Sequence, residues 1–501
     1  MCKTMIKTIL VIFINLLISL NIIASETDFI YIKNNISRKS IPLINILVDI
    51  DKISKEDYTE GKIEIASFQE NTNILNDTFL CKIKYRGASS LAYEKKSFAV
   101  KLYDDNWNNL DHNLFGIRKT NKWILDAMAI DRIRMRNRIC FDIWNEFSQT
   151  PYDTDYERRN GTKGSFVEVF VNGEYHGLYC LTDKIERKLL GLKKPKEQSD
   201  GNINIRGILY KCNHWGDAAF LTDYREEIMD NVEWNNWELQ EPEDYPSAET
   251  WTPLKELIDF CKNSNNSFFA TNYTNHFYKD NLIDYGLLLF AFNIRDNLMK
   301  NTLLSVVDIN ENKRFLITPW DLDTSLGGEY NGEYYDYDAL FSLVFGWAQP
   351  YYRLYNENVD NFFEDMKNKW MSLSNSVMSK ENINNKIDKY TQQFIVSGAW
   401  QREYAKWNNN PVPLEEDLSN EISYVKNWYS RNFENVTYLF NNTNYIQHKT
   451  YDINDEIISV YNVNGVLIYK GNEKGFTNIG EKKFYIIKNK HNTKKHIIKR
   501  K

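Results

Sequence analysis

Residues 292–328 read FNIRDNLMKNTLLSVVDINENKRFLITPWDLDTSLGG. Asp296 follows Arg295, and Asn301 stands five positions further on. Two apolar runs, Thr302 to Val307 and Arg314 to Thr318, flank a polar turn from Asp308 to Lys313 and predict a strand hairpin. Asp321-Leu-Asp323 comes next, then Gly327-Gly328. Oxygen ligands are thus offered at two places on adjoining segments. Phosphoryl transfer needs such a set: one carboxylate to orient or accept the acceptor's proton, and an amide with one or two carboxylates to hold Mg²⁺ against phosphate oxygens. Taken singly these features are weak, because an Asp and an Asn five apart also arise by chance. An Asp-x-Asp pair can equally cap a turn or bind structural Ca²⁺.

The Arg-Asp-x-x-x-x-Asn spacing is that of a protein-kinase catalytic loop, with the later Asp in the place of the metal-binding Asp; the tripeptide Asp-Phe-Gly is absent. A second constellation, residues 85–104 (YRGASSLAYEKKSFAVKLYD), sets Gly87, Ser89 and Ser90 in a loop between strands. Small residues there let backbone N–H groups approach phosphate. Lys96 and Lys101 follow on the next strand, an odd number of residues apart, so only one is expected to face phosphate. A third, residues 129–144 (AIDRIRMRNRICFDIW), carries Arg132, Arg134, Arg136 and Arg138. A solvated basic face accounts for most of them, with at most one or two turned inward.

Outward from these blocks, residues 41–50, Leu80–Lys84 and Ser97–Leu102 read as strands, and 281–293 as an apolar helix. Residues 123–148 read as one long helix with Asp131 as its N-cap. Phe166–Val171, Asn172-Gly173 and Tyr175–Leu181 read as a hairpin. Residues 190–250 lack periodicity and read as an insertion or lid; helices are expected up to about 440. The last fifty residues alternate like strands, with a turn at Asn464-Gly465 and a basic tail.

A share of 42% hydrophobic and 26% charged residues suits a globular protein with a sizeable core. The net charge of −6 argues against a nucleic-acid partner. Lys3 and Lys7, an apolar run from Ile9 to Ile23, then Ala24-Ser25, have the order of a cleaved secretory signal over residues 1–24. That run is shorter than the ~20 residues of a spanning helix, and no transmembrane span is expected after its removal. Cys81, Cys140, Cys180, Cys212 and Cys261 show no Cys-x-x-Cys spacing, so zinc is unsupported and buried free thiols are expected.

Together the blocks resemble the CotH (spore coat protein H) kinase-like family. The resemblance rests on Arg86-Gly87-x-Ser89-Ser90, Lys95-Lys96-Ser97-Phe98, Trp123-x-Leu125, Asp131 and Arg136-Asn137. It continues in Val171-Asn172-Gly173-x-Tyr175-x-Gly177-x-Tyr179, Asn301 and Pro319-Trp320-Asp321-x-Asp323. It implies an α+β, atypical protein-kinase-like fold over 28–445. It also implies ATP and Mg²⁺ (or Mn²⁺) as cofactors and a protein Ser or Thr as phosphoryl acceptor. Asp296 resembles the catalytic Asp; Asn301, Asp321 and Asp323 resemble the metal set. Lys96 or Lys101 resembles the phosphate lysine, with Arg86 beside it. Asp183 stands where family members often carry Glu and is expected at the nucleotide. The rival readings are a non-catalytic cell-surface binding or structural protein of the same fold, and a transferase using another nucleotide. Residues 451–501, through Ser459–Tyr469, resemble a type IX secretion sorting domain, which implies a small all-β module, passage through that machinery and a secreted or cell-surface location.

Overall fold

The computed structural model describes residues 27–69, 73–152, 158–298, 300–334 and 349–442, together with four strands within 457–497. It has helices and sheets in an α+β arrangement. A short helix α1 (Asp28–Asn34) leads into β1 (Leu43–Leu47), β2 (Thr59–Gln69), β3 (Asn73–Arg86), β4 (Ser97–Tyr103) and β5 (Lys122–Asp126). After helix α2 (Arg136–Phe147) come β6 (Gly164–Val171) and β7 (Glu174–Asp183). These seven strands close into a barrel in the order β1-β2-β3-β4-β5-β7-β6, with β1 parallel to β6. Closure leaves no strand edge open to pairing. The alternation in β4 shows how the sequence specifies it: Phe98, Val100 and Leu102 are buried, while Ser97, Ala99, Lys101 and Tyr103 face partly outward. Inside, those three meet Ile44, Ile63, Ile83, Val167 and Leu181. The β6–β7 turn is the expected Asn172-Gly173, both at positive φ. Asn172 also clasps the end of β1, accepting from the Val48 N–H at 3.0 Å and donating to its carbonyl at 2.8 Å.

The expected long helix over 123–148 is corrected. Residues 122–126 form β5 instead, because they pair on both sides, with β4 and with β7. The helix starts at Arg136, and Asp131 is not its N-cap residue. Asp131 still satisfies the helix end from outside, accepting from the N–H groups of Met135 and Arg136, each at 2.7 Å. The arginine expectation is corrected too. Arg134, Arg136 and Arg138 are all buried, since each has a carboxylate: Glu403 at 2.8 Å, Asp131 at 2.5 Å and Asp142 at 2.8 Å.

The second layer is an antiparallel five-stranded sheet. After the small pair β8 (Lys196–Glu197) and β9 (Ile203–Asn204) come β10 (Ile208–Cys212), β11 (Glu233–Trp234), β12 (Trp237–Glu241), β13 (Thr302–Val306) and β14 (Leu316–Pro319). Their order is β11-β12-β10-β13-β14. The sheet corrects the reading of 190–250 as a lid, because β10 is its central strand, and Tyr210 stacks on Trp251 of helix α3 (Ala248–Asn263) at 5.2 Å. Aromatic packing, rather than alternation, carries this stretch. Helix α4 (Lys279–Phe292) is buried on all faces from Asn281 onward. Helices α5 (Ala399–Trp407) and α6 (Ser419–Asn441) follow in the chain's last helical run. No helix among the described residues is long and apolar enough to cross a membrane. Cys81, Cys140, Cys180, Cys212 and Cys261 are free and buried.

A second compact unit comprises residues 438–501. Its strands β15 (Ile457–Tyr461), β16 (Leu467–Asn472), β17 (Phe484–Lys488) and β18 (Thr493–Ile497) pair antiparallel in the order β16-β15-β17-β18. The expected turn at Asn464-Gly465 lies outside the described residues. Part of the stretch read as a basic tail pairs as β18.

Two predictions follow from the barrel's buried charge. Glu403 on α5 accepts from Lys95 Nζ at 2.5 Å, Arg134 Nε at 2.8 Å and the Leu178 N–H at 2.8 Å. Glu403→Ala leaves two buried cations unpaired and should lower unfolding free energy by about 3–5 kcal/mol in urea titrations. Burial, with Lys95 and Lys406 nearby, pulls His176 down to about 4. The folded state then resists the proton that the unfolded chain takes up near 6.5. Stability should therefore fall as pH drops from 6.5 to 4, by about 2–3 kcal/mol. Denaturation midpoints of His176→Gln should lack this arm.

Candidate active site

Helix α4 ends on Asn293, whose left-handed conformation (φ 50°) turns the chain out of the helix. A single 3₁₀ turn, Arg295–Asn297, carries Asp296 before the chain enters β13. Asn297 is fully buried beneath this turn. Its side-chain amide donates to the Asn301 carbonyl at 3.0 Å and to the Trp320 carbonyl at 2.5 Å. The Tyr285 hydroxyl donates to the Asn297 carbonyl at 2.6 Å. One amide therefore joins the Asp296 segment to the Trp-Asp-Leu-Asp segment. Asn301, at φ 54°, anchors its N–H on the Cys212 carbonyl of β10 at 3.0 Å. Its side-chain amide donates to Asp296 Oδ2 at 2.8 Å.

The barrel contributes from the other side. Asn137 at the start of α2 accepts from the Leu322 N–H at 3.1 Å and donates to Asp126 Oδ2 at 2.9 Å. Asp126, the last residue of β5, is thereby oriented next to the loop that bears Asp321 and Asp323. Asp321 takes a left-handed conformation (φ 59°), which separates the two aspartates from the line of β14. Arg86, at the end of β3, lies over the Trp320 ring at 4.8 Å, and Lys211 of β10 over the same ring at 5.7 Å.

The electrostatics of this cluster are lopsided. Crowding by surrounding protein, then repulsion from Asp321, Asp126, Asp131 and Asp296, raises the Asp323 carboxyl well above the usual range. Asp321 is raised by the same crowding and by Asp126, with Arg86 and Lys211 pulling the other way. Solvent still reaches Asp321 and, in part, Asp323. Several carboxylates facing few cations could hold a divalent ion. The donors suit a hard one: Asp321, Asp323 and the Asn301 amide all offer oxygen. Among the described residues no trio of His, Cys, Asp or Glu forms a metal cage by itself. Mg²⁺ does not require one, since it commonly takes one or two carboxylates and completes its shell with phosphate and water.

The structure thus brings Asp296 and Asn301 into contact and sets Arg86, Asp321 and Asp323 within electrostatic reach of the same place. Lys96 does not join them. It precedes β4, and its ammonium folds back on the carbonyls of Leu91 (3.0 Å) and Tyr93 (2.7 Å). Lys101 lies against the Tyr58 ring and lines a cavity of about 280 Å³ with Lys122, Glu186, Arg187 and Glu241. Burial, with Lys122, Lys184 and Lys84 nearby, lowers its pKa. Asp183 is fully buried and held by Arg118 Nε at 2.9 Å, Arg159 Nη2 at 2.5 Å and the Lys163 N–H at 2.9 Å, an arrangement that braces β7. Sequence reasoning missed Asp126, Asn297 and Lys211 as neighbours of this cluster. Asn137 stood in a quoted motif without a role. Only Asn297, inside the decisive stretch, carried a signal that could have found it: a second Asn between an Asp and its paired amide.

The family model described as CotH kinase protein matches residues 83–436, from the end of β3 into α6. The chain belongs to the CotH kinase family. Every residue of the cluster lies inside the matched region, whereas β1, β2 and the C-terminal unit's four strands lie outside it. No curated protein matches the chain. Membership suggests phosphotransferase activity at the level of the family.

The Asn297 tie can be tested without substrate. Asn297→Ala leaves two carbonyls without their donor, and Asn297→Asp sets an acceptor against them. Chemical denaturation should show losses of about 2–4 kcal/mol for either variant, with the Asp variant no more stable than the Ala variant.

Proposed function

We propose that this CotH kinase family member is an exported atypical protein kinase, transferring the γ-phosphoryl group of ATP to a protein Ser or Thr hydroxyl with Mg²⁺ or Mn²⁺. The carrying observation is the single buried amide that joins the Asp296–Asn301 segment to the Asp321–Asp323 segment beside Arg86. In this reading Asp296 accepts the hydroxyl's proton while Asn301 holds its carboxylate in place. Asp321 and Asp323, with Asn301, hold the metal, which when bound neutralises phosphate oxygens. Arg86 and Lys211 add positive charge at the cleft wall. The leader at 1–24 directs export, and residues 451–501 serve as a sorting region for type IX secretion.

The test is incubation with ATP labelled at the γ-phosphate, Mg²⁺ or Mn²⁺ and a mixed protein acceptor, beside two variants. Asp296→Ala should lower turnover at least about 100-fold with little change in nucleotide affinity. Asp321→Ala should weaken metal-dependent nucleotide binding by roughly 10–100-fold in calorimetry. Equal inertness of the parent and both variants, with Ca²⁺ or glycan still bound, would favour a binding protein. Label delivered from the α-phosphate would favour a different nucleotide-dependent transferase.

A further inference from the structure

The cavity beside Lys101 takes no part in the scheme above. Its volume is about 280 Å³, and all eight side chains that line it are Lys, Arg, Asn or Glu. It offers no apolar or aromatic face to a nucleobase, whereas small-molecule pockets are ordinarily lined by such side chains. Strand register sets it apart from the acidic cluster. Lys101 pairs with Lys82 on β3 and with Lys122 on β5. Arg86 and Asp126, at the edge of the cluster, lie four residues further along those two strands, about 13 Å at the usual rise.

Most charges around the cavity are already matched. Glu186 is held by Arg118 Nη2 at 3.0 Å and Lys122 Nζ at 3.2 Å, and Lys188 by Asp111 at 2.7 Å. Lys101 is the exception. Its ammonium rests on the Tyr58 ring at 4.3 Å and pairs with no carboxylate among the described residues, while burial and the like charges of Lys122, Lys184 and Lys84 disfavour it. Asn121 is the second observation. It is only 8% exposed, and its amide donates to Asn109 Oδ1 at 2.9 Å. Its own Oδ1 accepts no hydrogen bond among the described residues, and the Asn109 amide donates none. Glu241 takes the Arg187 N–H on Oε1 at 3.3 Å, and its other oxygen accepts nothing there. Water satisfies such groups but brings no charge to Lys101. An anion does, and the amides and carboxylate beside it match hydroxyls. Asn109 and Lys188 are exposed, so a ligand can enter from solvent.

We infer that this cavity is a binding site for a single anionic sugar unit, a hexose bearing a phosphate or carboxylate group. Lys101 takes the oxyanion, with Lys122 beside it. Asn121 accepts from one ring hydroxyl, Asn109 donates to another and Glu241 accepts from a third. The volume falls just below the ~300–1,000 Å³ of pockets that enclose drug-sized ligands, which suits one ring rather than a chain of them. The site uses no residue of the phosphoryl-transfer scheme and stands independently of it.

The experiment is calorimetric titration of the full chain at low salt, without metal or nucleotide, with glucose 6-phosphate, glucuronate, glucose and inorganic phosphate. At least one of the two sugar anions should bind about tenfold or more tighter than glucose and than inorganic phosphate. Lys101→Gln should weaken it about tenfold without lowering the melting temperature, since the change removes one of several like charges. Asn109→Ala should weaken it roughly fivefold and leave inorganic phosphate unaffected. In the parent, the sugar anion should also shield Lys101 from acetylation, read by peptide mass, which needs no variant. Binding of one sugar anion alone supports the site and names its oxyanion. Equal affinity for glucose or inorganic phosphate, no binding of either sugar anion, no shielding of Lys101, or an affinity unmoved by Lys101→Gln overturns the inference. A β,γ-imido ATP analogue with Mg²⁺ should not displace the sugar anion. Competition between them would make the cavity part of the nucleotide site, overturning this inference and leaving the kinase reading in place. Sugar-anion binding in a chain that binds no nucleotide supports this site and counts against the kinase reading alone.

Discussion

The side-chain amide of Asn297 holds two backbone carbonyls at once, one on the Asp296 segment and one on the Trp320 segment. It does this from a fully buried position, where the amide itself has no water as a substitute partner. Those segments are separated by a strand hairpin in the sequence, and each enters a tight turn at positive φ, at Asn301 and Asp321. Without a shared donor their relative placement would depend on the hairpin alone. With it, the acid of one segment and the two acids of the other are referred to a single point, and the Tyr285 hydroxyl fixes that point to α4.

On this anchor the electrostatics are built deliberately out of balance. The carboxylates of Asp126, Asp296, Asp321 and Asp323 lie within electrostatic range of one another, while Arg86 and Lys211 supply opposing charge next to Trp320 and Lys300 pairs with Asp296. Elsewhere the same protein balances its buried charges closely. Glu403 is matched by Lys95 and Arg134, and Asp183 by Arg118 and Arg159. The contrast separates structural ion pairs, which close on themselves, from a cluster left short of positive charge, as the proposed metal site would require.

Much of the site was readable before the fold. The Asp296–Asn301 spacing and the Asp321-Leu-Asp323 pair stand in one stretch, and the strands around them follow from alternation and turn residues. The sheet strand at 208–212 was not readable, because its packing depends on Trp251 and Trp237 rather than on a period of two. The long helix was misread for a related reason. Residues 122–126 have enough apolar content for either structure, and only their place between β4 and β7 makes them a strand.

The sequence by itself determined the chemistry on offer: which acids and amides stand a turn apart, where the chain must turn, and that Asn172-Gly173 closes a hairpin. Tertiary structure alone decided which charges share a cleft. It added Asp126 and Lys211, folded Lys96 back on its own loop and sealed Asp183 behind two arginines. The physical reason is range. Turn propensity and side-chain alternation act over a few residues and are written locally. The energy of a charge depends on its burial and on neighbours brought from far along the chain, and those exist only once the barrel and the sheet have paired their strands.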